Sequence, residues 1–277
     1  MNRHDDILAK SIKKDGISVS LFIHLCAVAD LAVRAAEYAN LDVTTAKLGG
    51  LLHDIGKVSP LFQRVLHGYR PSPLEMRFRH EIASLFFLKV IEERYWNPVI
   101  DMIIAHHKSV VKDVRELGLL DLDYYYDHQV FTHHSKGFDE WSSTALDILE
   151  ECGIKSRPIT IEDAYDTYSY ALEYCKKRTH GWSIWKGVLI GADHFASALP
   201  GEYSHINTLF AIPDISFYNR QHELYPLSLI KSDKTKKHTF VKAPTGSGKT
   251  EIPSFFMLFA NISSCLFIQQ LLIFEKN

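Results

Sequence analysis

Apolar residues recur every three or four positions through most of the first 200 residues, which is the spacing of one buried face of an α-helix. Polar and proline-containing pairs interrupt the pattern: Ser59-Pro60 opens a helix, Asn97-Pro98 separates two helices, and Thr44 caps the helix that leads to His53. The pattern predicts a mainly α fold for residues 1–205, with helices over residues 17–40, 44–53, from 60 onward, 81–96, 98–106, 138–152, 161–177 and 182–199.

The pattern changes near residue 238. Residues 238–242 are typical of a short strand and residues 251–260 of a helix, and between them lies Ala243-Pro244-Thr245-Gly246-Ser247-Gly248-Lys249-Thr250. This is a phosphate-binding loop of the Walker A kind, with Ala where the strict pattern begins with Gly. Its backbone amides would hold the phosphates of ATP, Lys249 would reach the β and γ groups, and Thr250 would bind Mg²⁺. The predicted nucleotide-binding residues are Gly246, Ser247, Gly248, Lys249 and Thr250.

The last apolar stretch, residues 252–274, is long enough to cross a membrane and carries no charge. It contains a proline and three amide side chains and follows the phosphate loop directly, which favours a buried helix and strand over a membrane helix. Without neighbouring domains it would be exposed, so we expect poor solubility or disorder there, which limited proteolysis tests. Residues 206–237 are predicted to be a linker that ends in a basic run.

Composition excludes some classes of protein. The 277 residues suffice for one or two domains, and a net charge of −2 is not the basic character expected of a stable duplex-DNA binder. Residues 1–15 are polar and do not resemble a signal peptide. The four cysteines show no paired spacing and are predicted to be reduced, buried thiols of a cytoplasmic protein: Cys26, Cys152, Cys175 and Cys265.

The adjacent pair His53-Asp54 is the strongest chemical signal. An imidazole beside a carboxylate offers two ligands that suit a divalent metal acting on a phosphate. Further ligand residues occur in apolar, helix-like contexts separated by about one helix and its connection: His24, His80, His106, His107 and Asp193. A single histidine on an apolar face is usually a hydrogen-bonded core residue, but the combined series favours a metal site. The doublet His133-His134 has polar neighbours and is predicted to lie in a solvated loop.

This series resembles the HD superfamily of metal-dependent phosphohydrolases over roughly residues 15–200. The resemblance implies a helical HD-domain bundle and, from the His-His doublet and His24, the two-metal branch. Asp54 would then bridge two divalent ions about 3.5–4 Å apart. The resemblance assigns His24, His53 and Asp193 to one ion, and His80, His106 and His107 to the other. The ligands suit Mn, Fe, Co or Ni, with Mg also possible.

Lys57, three residues after Asp54, is a candidate catalytic residue that would hold a substrate phosphate as a point charge. The alternative interpretation is a solvated side chain that follows a helix ending at Gly56.

Taken with the phosphate loop, the HD residues resemble the type I CRISPR-associated helicase and nuclease, in which an HD nuclease precedes a superfamily 2 helicase. The resemblance implies an incomplete RecA-like segment over residues 238–277, metal-dependent cleavage of single-stranded DNA, and recruitment by a crRNA-guided surveillance complex. The cysteines and the interpretation of residues 252–274 as a buried helix and strand predict a cytoplasmic location without membrane partners. The chain departs from that family because only 27 residues follow Thr250 and none of them is Asp. We therefore expect ATP and Mg²⁺ to act at the loop only if the remaining helicase domains are supplied in cis or in trans.

Two other functions remain open on sequence alone. One is a small-molecule HD phosphohydrolase that acts on nucleotides or cyclic nucleotides. The other is a non-catalytic HD adaptor for a helicase partner. The complete ligand series argues against the adaptor, and the helicase-type loop argues against the small-molecule enzyme.

Overall fold

The structure, a computed structural model, describes residues 4, 6–11, 18–72, 75–105, 127–155, 157–178 and 183–198. This part of the chain is mainly α-helical, as predicted, and its only β-type pairing is an isolated bridge between Leu8 and Ser20. The α-helices are α1 Leu21–Tyr38, α2 Val43–Leu52, α3 Pro60–Leu66, α4 His80–Ser84, α5 Trp96–Ala105, α6 Asp127–His134, α7 Phe138–Glu151, α8 Ile161–Lys177 and α9 Ile184–Ala198. Three 3₁₀ segments accompany them, Ile55–Val58, Leu85–Val90 and Glu93–Tyr95.

Capping residues determine where the first two helices begin. Ser20 caps α1 by accepting a hydrogen bond from the Ile23 amide, so the helix begins later than predicted. The predicted cap of α2, Thr44, is wrong. The carboxylate of Asp42 caps this helix instead, because it accepts the Thr45 amide at 2.8 Å and its negative charge suits a helix N-terminus.

The continuous helix predicted over residues 81–96 is also wrong. The chain forms the short α4 and then the 3₁₀ segments Leu85–Val90 and Glu93–Tyr95. Leu85, Phe86, Phe87 and Leu88 are all fully buried, so this stretch has no polar face. A 3₁₀ helix turns 120° per residue and directs consecutive side chains to three sides. Within this buried stretch, the Phe86 ring meets rings from three other segments, at Phe131, Phe138 and Tyr168.

The doublet His133-His134 does not lie in a solvated loop as predicted, because it forms the end of helix α6. The buried ring of His134 donates from Nδ1 to the Val130 carbonyl at 2.7 Å and accepts the Arg79 amide at Nε2 at 2.8 Å. Burial lowers the pKa of His134 to about 4, so the ring is neutral at physiological pH. His134 is thus a structural residue that supports the backbone immediately before His80.

Close packing of the helices brings the predicted metal-ligating residues together. Helix α1 packs against both α2 and α9, and α2 and α9 pack against α5. The approach of α1 to α2 requires a residue without a side chain at Gly50, where an added Cβ would lie 2.6 Å from the Ala29 Cα atom. This packing places residues of α1, α9 and the end of α2 around one buried point.

All described residues belong to the compact unit Met1–Ile206. The predicted domain limits stay predictions, and the linker, the phosphate loop and the apolar stretch that follows it lie outside the described residues. Among the helices that the structure describes, none combines the length and the apolar character needed to cross a membrane.

Candidate metal centre

Three predicted ligands from distant parts of the chain converge in the structure. His24 lies in α1, His53 directly follows α2, and Asp193 lies in α9. One potential ligand atom of each residue lies within 4.8 Å of the others. Both imidazoles are buried and the carboxylate is half-buried. Such a mixed set of two imidazoles and a carboxylate is suited to a divalent transition metal.

Asp54 lies between this group and His80. Its Oδ2 atom is 3.3 Å from Nε2 of His24 and 3.3 Å from Nε2 of His53, whereas its Oδ1 atom is 3.0 Å from Nε2 of His80. The backbone of Asp54, at φ −115° and ψ 3°, leaves the α-helical conformation between α2 and the 3₁₀ segment Ile55–Val58. This break allows two consecutive residues to direct their side chains to the same point.

The tautomer of His53 supports the presence of a cation at this point. Nδ1 of His53 lies 2.7 Å from the Gly50 carbonyl oxygen, which can only accept, so Nδ1 carries the proton. In the neutral ring, Nε2 then presents a lone pair towards the Asp54 carboxylate, and two electron-rich atoms at 3.3 Å repel each other. A cation at this point would satisfy both atoms. A backbone carbonyl that fixes the histidine tautomer is also the usual support of a metal-binding imidazole.

His80 is the first residue of α4 and is held against the His53-Asp54 turn by Ser84, one helical turn later. The Ser84 hydroxyl donates to the His53 carbonyl at 3.0 Å and accepts the Gly56 amide at 2.9 Å. The Phe62 and His80 rings also pack edge to face, with their centroids 4.8 Å apart. Burial lowers the pKa of His80, which favours the neutral imidazole that a metal requires.

Lys57 is buried, so its interpretation as a solvated side chain is wrong. Its ammonium group lies 2.5 Å from Oδ2 of Asp54 and donates to the Ala9 carbonyl at 3.1 Å. The N-terminal segment is held over it by Gln63, which bonds the backbone of both Leu8 and Lys57. Lys57 therefore compensates the buried Asp54 charge directly.

The carboxylates around His24 set its charge state. Burial alone would lower the pKa of His24, but its contacts with Asp193 and Asp54 outweigh burial and raise it. Burial would raise the pKa of Asp193, whereas the interaction with His24 holds it well below its usual range. In the metal-free protein, the proton that His24 shares with these carboxylates supplies part of the positive charge that a metal ion would bring. Metal binding should consequently release a proton from it.

The structure brings together six of the predicted site residues: His24, His53, Asp54, Lys57, His80 and Asp193. His106 and His107 lie outside the described residues, as do the nucleotide-binding candidates Gly246 to Thr250. Sequence reasoning missed Ser84 and Gln63. Ser84 stands four residues after His80, on the same helix face, and that spacing is the signal that could have identified it.

The comparison with known protein families gives a match. The family model described as HD domain matches residues 21–162, and no curated protein and no solved structure matches significantly. HD domains bind divalent metals, and the ligand cluster of this chain is of the kind that they use. With its His-Asp pair at the centre of that cluster, the chain belongs to the HD domain family, whose membership indicates a metal-dependent phosphohydrolase.

Proposed function

We propose that this chain is a metal-dependent phosphodiesterase that cleaves single-stranded DNA. The observation that carries the proposal is the position of Asp54, with one carboxylate oxygen facing His24 and His53 and the other facing His80. A carboxylate between two sets of imidazoles is the arrangement that a pair of metal ions requires, because the bridging negative charge reduces their repulsion.

In this proposal, His24, His53, Asp54 and Asp193 hold one divalent ion, and Asp54 and His80 contribute to a second. His106 and His107 are proposed to complete the second set, as the family resemblance implies. When bound, such ions activate water and stabilise negative charge on the phosphate. Mn, Fe, Co and Ni suit these ligands, and Mg is the alternative.

The residues around the ligands orient the imidazoles and balance the charge of Asp54. The Gly50 carbonyl fixes the tautomer of His53, and Ser84 fixes His80 relative to the His53 backbone. Lys57 places its positive charge directly beside the buried Asp54 carboxylate. We also retain the proposal that Lys57 attracts a substrate phosphate, since a cation beside the bridging carboxylate would lie near the reacting group.

The surface beside His80 supports a nucleic acid substrate. Residues 64–79, which we call the arginine segment, contain four arginines and a single acidic residue, Glu75. Arg64 stacks over the ring of Tyr69, with 4.2 Å between its guanidinium carbon and the ring centroid, and both are exposed. Arginine and aromatic side chains together bind phosphates and stack on unpaired bases. The arginine segment leads directly into His80, so a strand bound there would pass the metal ligands.

The larger assembly is proposed from sequence alone. The phosphate loop at residues 243–250 and the resemblance to the type I CRISPR-associated helicase and nuclease support a role as the N-terminal nuclease part of that system. Its partners would be single-stranded DNA, the remaining helicase domains in cis or in trans, and a crRNA-guided surveillance complex in the cytoplasm. ATP and Mg²⁺ would bind only when those helicase domains are present.

A cleavage assay with a matched variant tests the activity. The Mn²⁺-loaded chain is incubated with single-stranded DNA, duplex DNA and a panel of nucleotides and cyclic nucleotides, alongside Asp54→Asn. Asp30→Asn is the control, because this exposed carboxylate lies on α1 with His24 but faces solvent. We expect metal-dependent cleavage of single strands by the wild type and the control, and at least a 100-fold loss in Asp54→Asn.

The same assay separates the other functions. Turnover of nucleotides without cleavage of DNA would replace the nuclease with a small-molecule phosphohydrolase. A chain that binds metal but hydrolyses no phosphoester would indicate the adaptor. Preference for duplex over single strands would contradict the role proposed for the arginine segment.

A further inference from the structure

Two cysteines that are far apart in sequence are in contact. Cys26 lies in α1, Cys152 directly follows α7, and their Sγ atoms are 3.5 Å apart. They are separated by 126 positions, so cysteine spacing gave no sign of the pair. Neither thiol forms a disulfide in the structure.

The two thiols differ from a third in their access to solvent. Cys26 and Cys152 are both partly exposed, whereas Cys175 is buried in the core. The prediction of buried thiols is therefore wrong for the pair and confirmed for Cys175. Both residues of the pair therefore have contact with solvent in the folded domain.

The geometry requires little movement to join them. A disulfide has a sulfur separation of about 2.05 Å, so the two atoms must approach by about 1.5 Å. Cys152 caps the end of α7 and is followed by Gly153 in the left-handed conformation, at φ 88°. A helix end next to a glycine is a place where the backbone can adjust, and rotation of the two side chains supplies part of the approach.

We infer that Cys26 and Cys152 form an oxidant-responsive site that closes into an intrachain disulfide. With hydrogen peroxide as the oxidant, the thiolate of one cysteine attacks an oxygen atom, forming an S–O bond, breaking the O–O bond and releasing hydroxide that is protonated to water. The second thiolate attacks this sulfur, forming the S–S bond and displacing the oxygen as a second water. Both thiol protons end in water, and the two electrons lost by the sulfur atoms reduce the peroxide.

The position of Cys26 on α1 predicts what the disulfide changes. Cys26 follows His24 by two residues, which corresponds to about 200° around a helix, so the two side chains lie on nearly opposite sides of α1. The disulfide would fasten α1 to the end of α7 on the side away from the metal ligands. We therefore expect greater thermal stability and unchanged metal binding.

The test uses the full chain and stoichiometric hydrogen peroxide. We expect the loss of two free thiols, a mass decrease of about 2 Da from two lost hydrogens, and a cross-linked peptide that contains Cys26 and Cys152. The melting temperature should rise by about 5 °C or more. Excess dithiothreitol should reverse all four changes, while the affinity for Mn²⁺ stays constant.

Three variants decide the assignment. Cys26→Ser and Cys152→Ser should each abolish the rise in melting temperature and the cross-linked peptide, whereas Cys175→Ser should retain both. Cross-linking that involves Cys265 or a second molecule, or oxidation of the two thiols to separate sulfinic acids, would overturn the inference. Persistence of both thiols under oxidant would overturn it as well. None of these results depends on nuclease activity, so they stand apart from the proposed function.

Discussion

Substitution of Gly56 by alanine tests whether the fold itself holds the two sides of the metal centre together. Gly56 lies directly against α4, the helix that begins with His80. A Cβ atom at this position would lie 2.2 Å from the His80 carbonyl oxygen and 2.7 Å from the Ser84 amide nitrogen. Both are backbone atoms, so rotation of a side chain cannot relieve the contact.

The size of the effect follows from these distances. Real Cβ contacts essentially never fall below 3.0 Å, so the His80 carbonyl and the Gly56 turn must separate by at least 0.8 Å (3.0 − 2.2). Forced overpacking of this kind costs about 1–3 kcal/mol of folding free energy. A displacement of about 1 Å at a catalytic group can reduce activity by about 100-fold. The separation of 3.0 Å between His80 and Asp54 should increase in the variant.

The assay compares Gly56→Ala with Gly191→Ala. Gly191 is an exposed position in α9 where an added Cβ would meet no atom within 4 Å. We expect the control to be more stable by about 0.5–1 kcal/mol, because alanine favours a helix over glycine. In Gly56→Ala, denaturant unfolding should show the loss of stability, and phosphodiesterase activity with Mn²⁺ should fall. Wild-type activity and stability in Gly56→Ala would refute the role of this close contact.

Three further outcomes are expected. Since burial lowers the pKa of His134 to about 4 from about 6.5, the contribution of His134 to the stability of the metal-free protein should be complete above pH 6.5 and should fall by up to about 3 kcal/mol as the pH falls to 4. Urea unfolding should show a flatter pH profile for His134→Leu than for the wild type, with His128→Leu, at an exposed histidine of the same helix, as the control variant. Lys57→Met removes the lysine that compensates the buried Asp54 charge, so the free energy of unfolding of the metal-free protein should fall by about 3 kcal/mol. Mn²⁺ should then raise the melting temperature of this variant more than that of the wild type, and an equal rise would contradict the charge compensation. Asp193→Asn should weaken Mn²⁺ binding by at least 10-fold in calorimetry, and an unaltered affinity would exclude this carboxylate as a ligand.

Local sequence rules predicted the regular helices well. The limits of α8 match the predicted residues 161–177, because a capping box of Thr160 and Asp163 marks its start and a clear apolar face defines its length. The prediction failed at Leu85–Val90, where every side chain from Leu85 to Leu88 is buried and periodicity gives no signal. It also failed at His133-His134, because polar neighbours in sequence did not reveal that the buried His134 ring accepts a hydrogen bond from the Arg79 amide.

The candidate site was predictable because its residues form a recognisable series, but its internal contacts were not. The adjacency of His53 and Asp54 is visible in sequence, whereas the backbone break that directs both inward is a property of the folded turn. The burial of Lys57 depends on the carbonyl of Ala9, a contact across 48 positions that no local pattern encodes. Likewise, the contact of Cys26 with Cys152 depends on how α1 meets the end of α7.

The location of Asp193 in α9 determines how much of the chain is needed to keep the whole candidate metal cluster. The region that matches the HD family model ends at residue 162, and Asp193 lies 31 residues beyond it (193 − 162). A fragment trimmed to the matched region would retain His24 and the His53-Asp54 pair but lose the carboxylate that meets His24 at 3.3 Å. The candidate metal cluster of this protein therefore extends past the boundary of family similarity, and a fragment designed to keep that cluster must reach through α9.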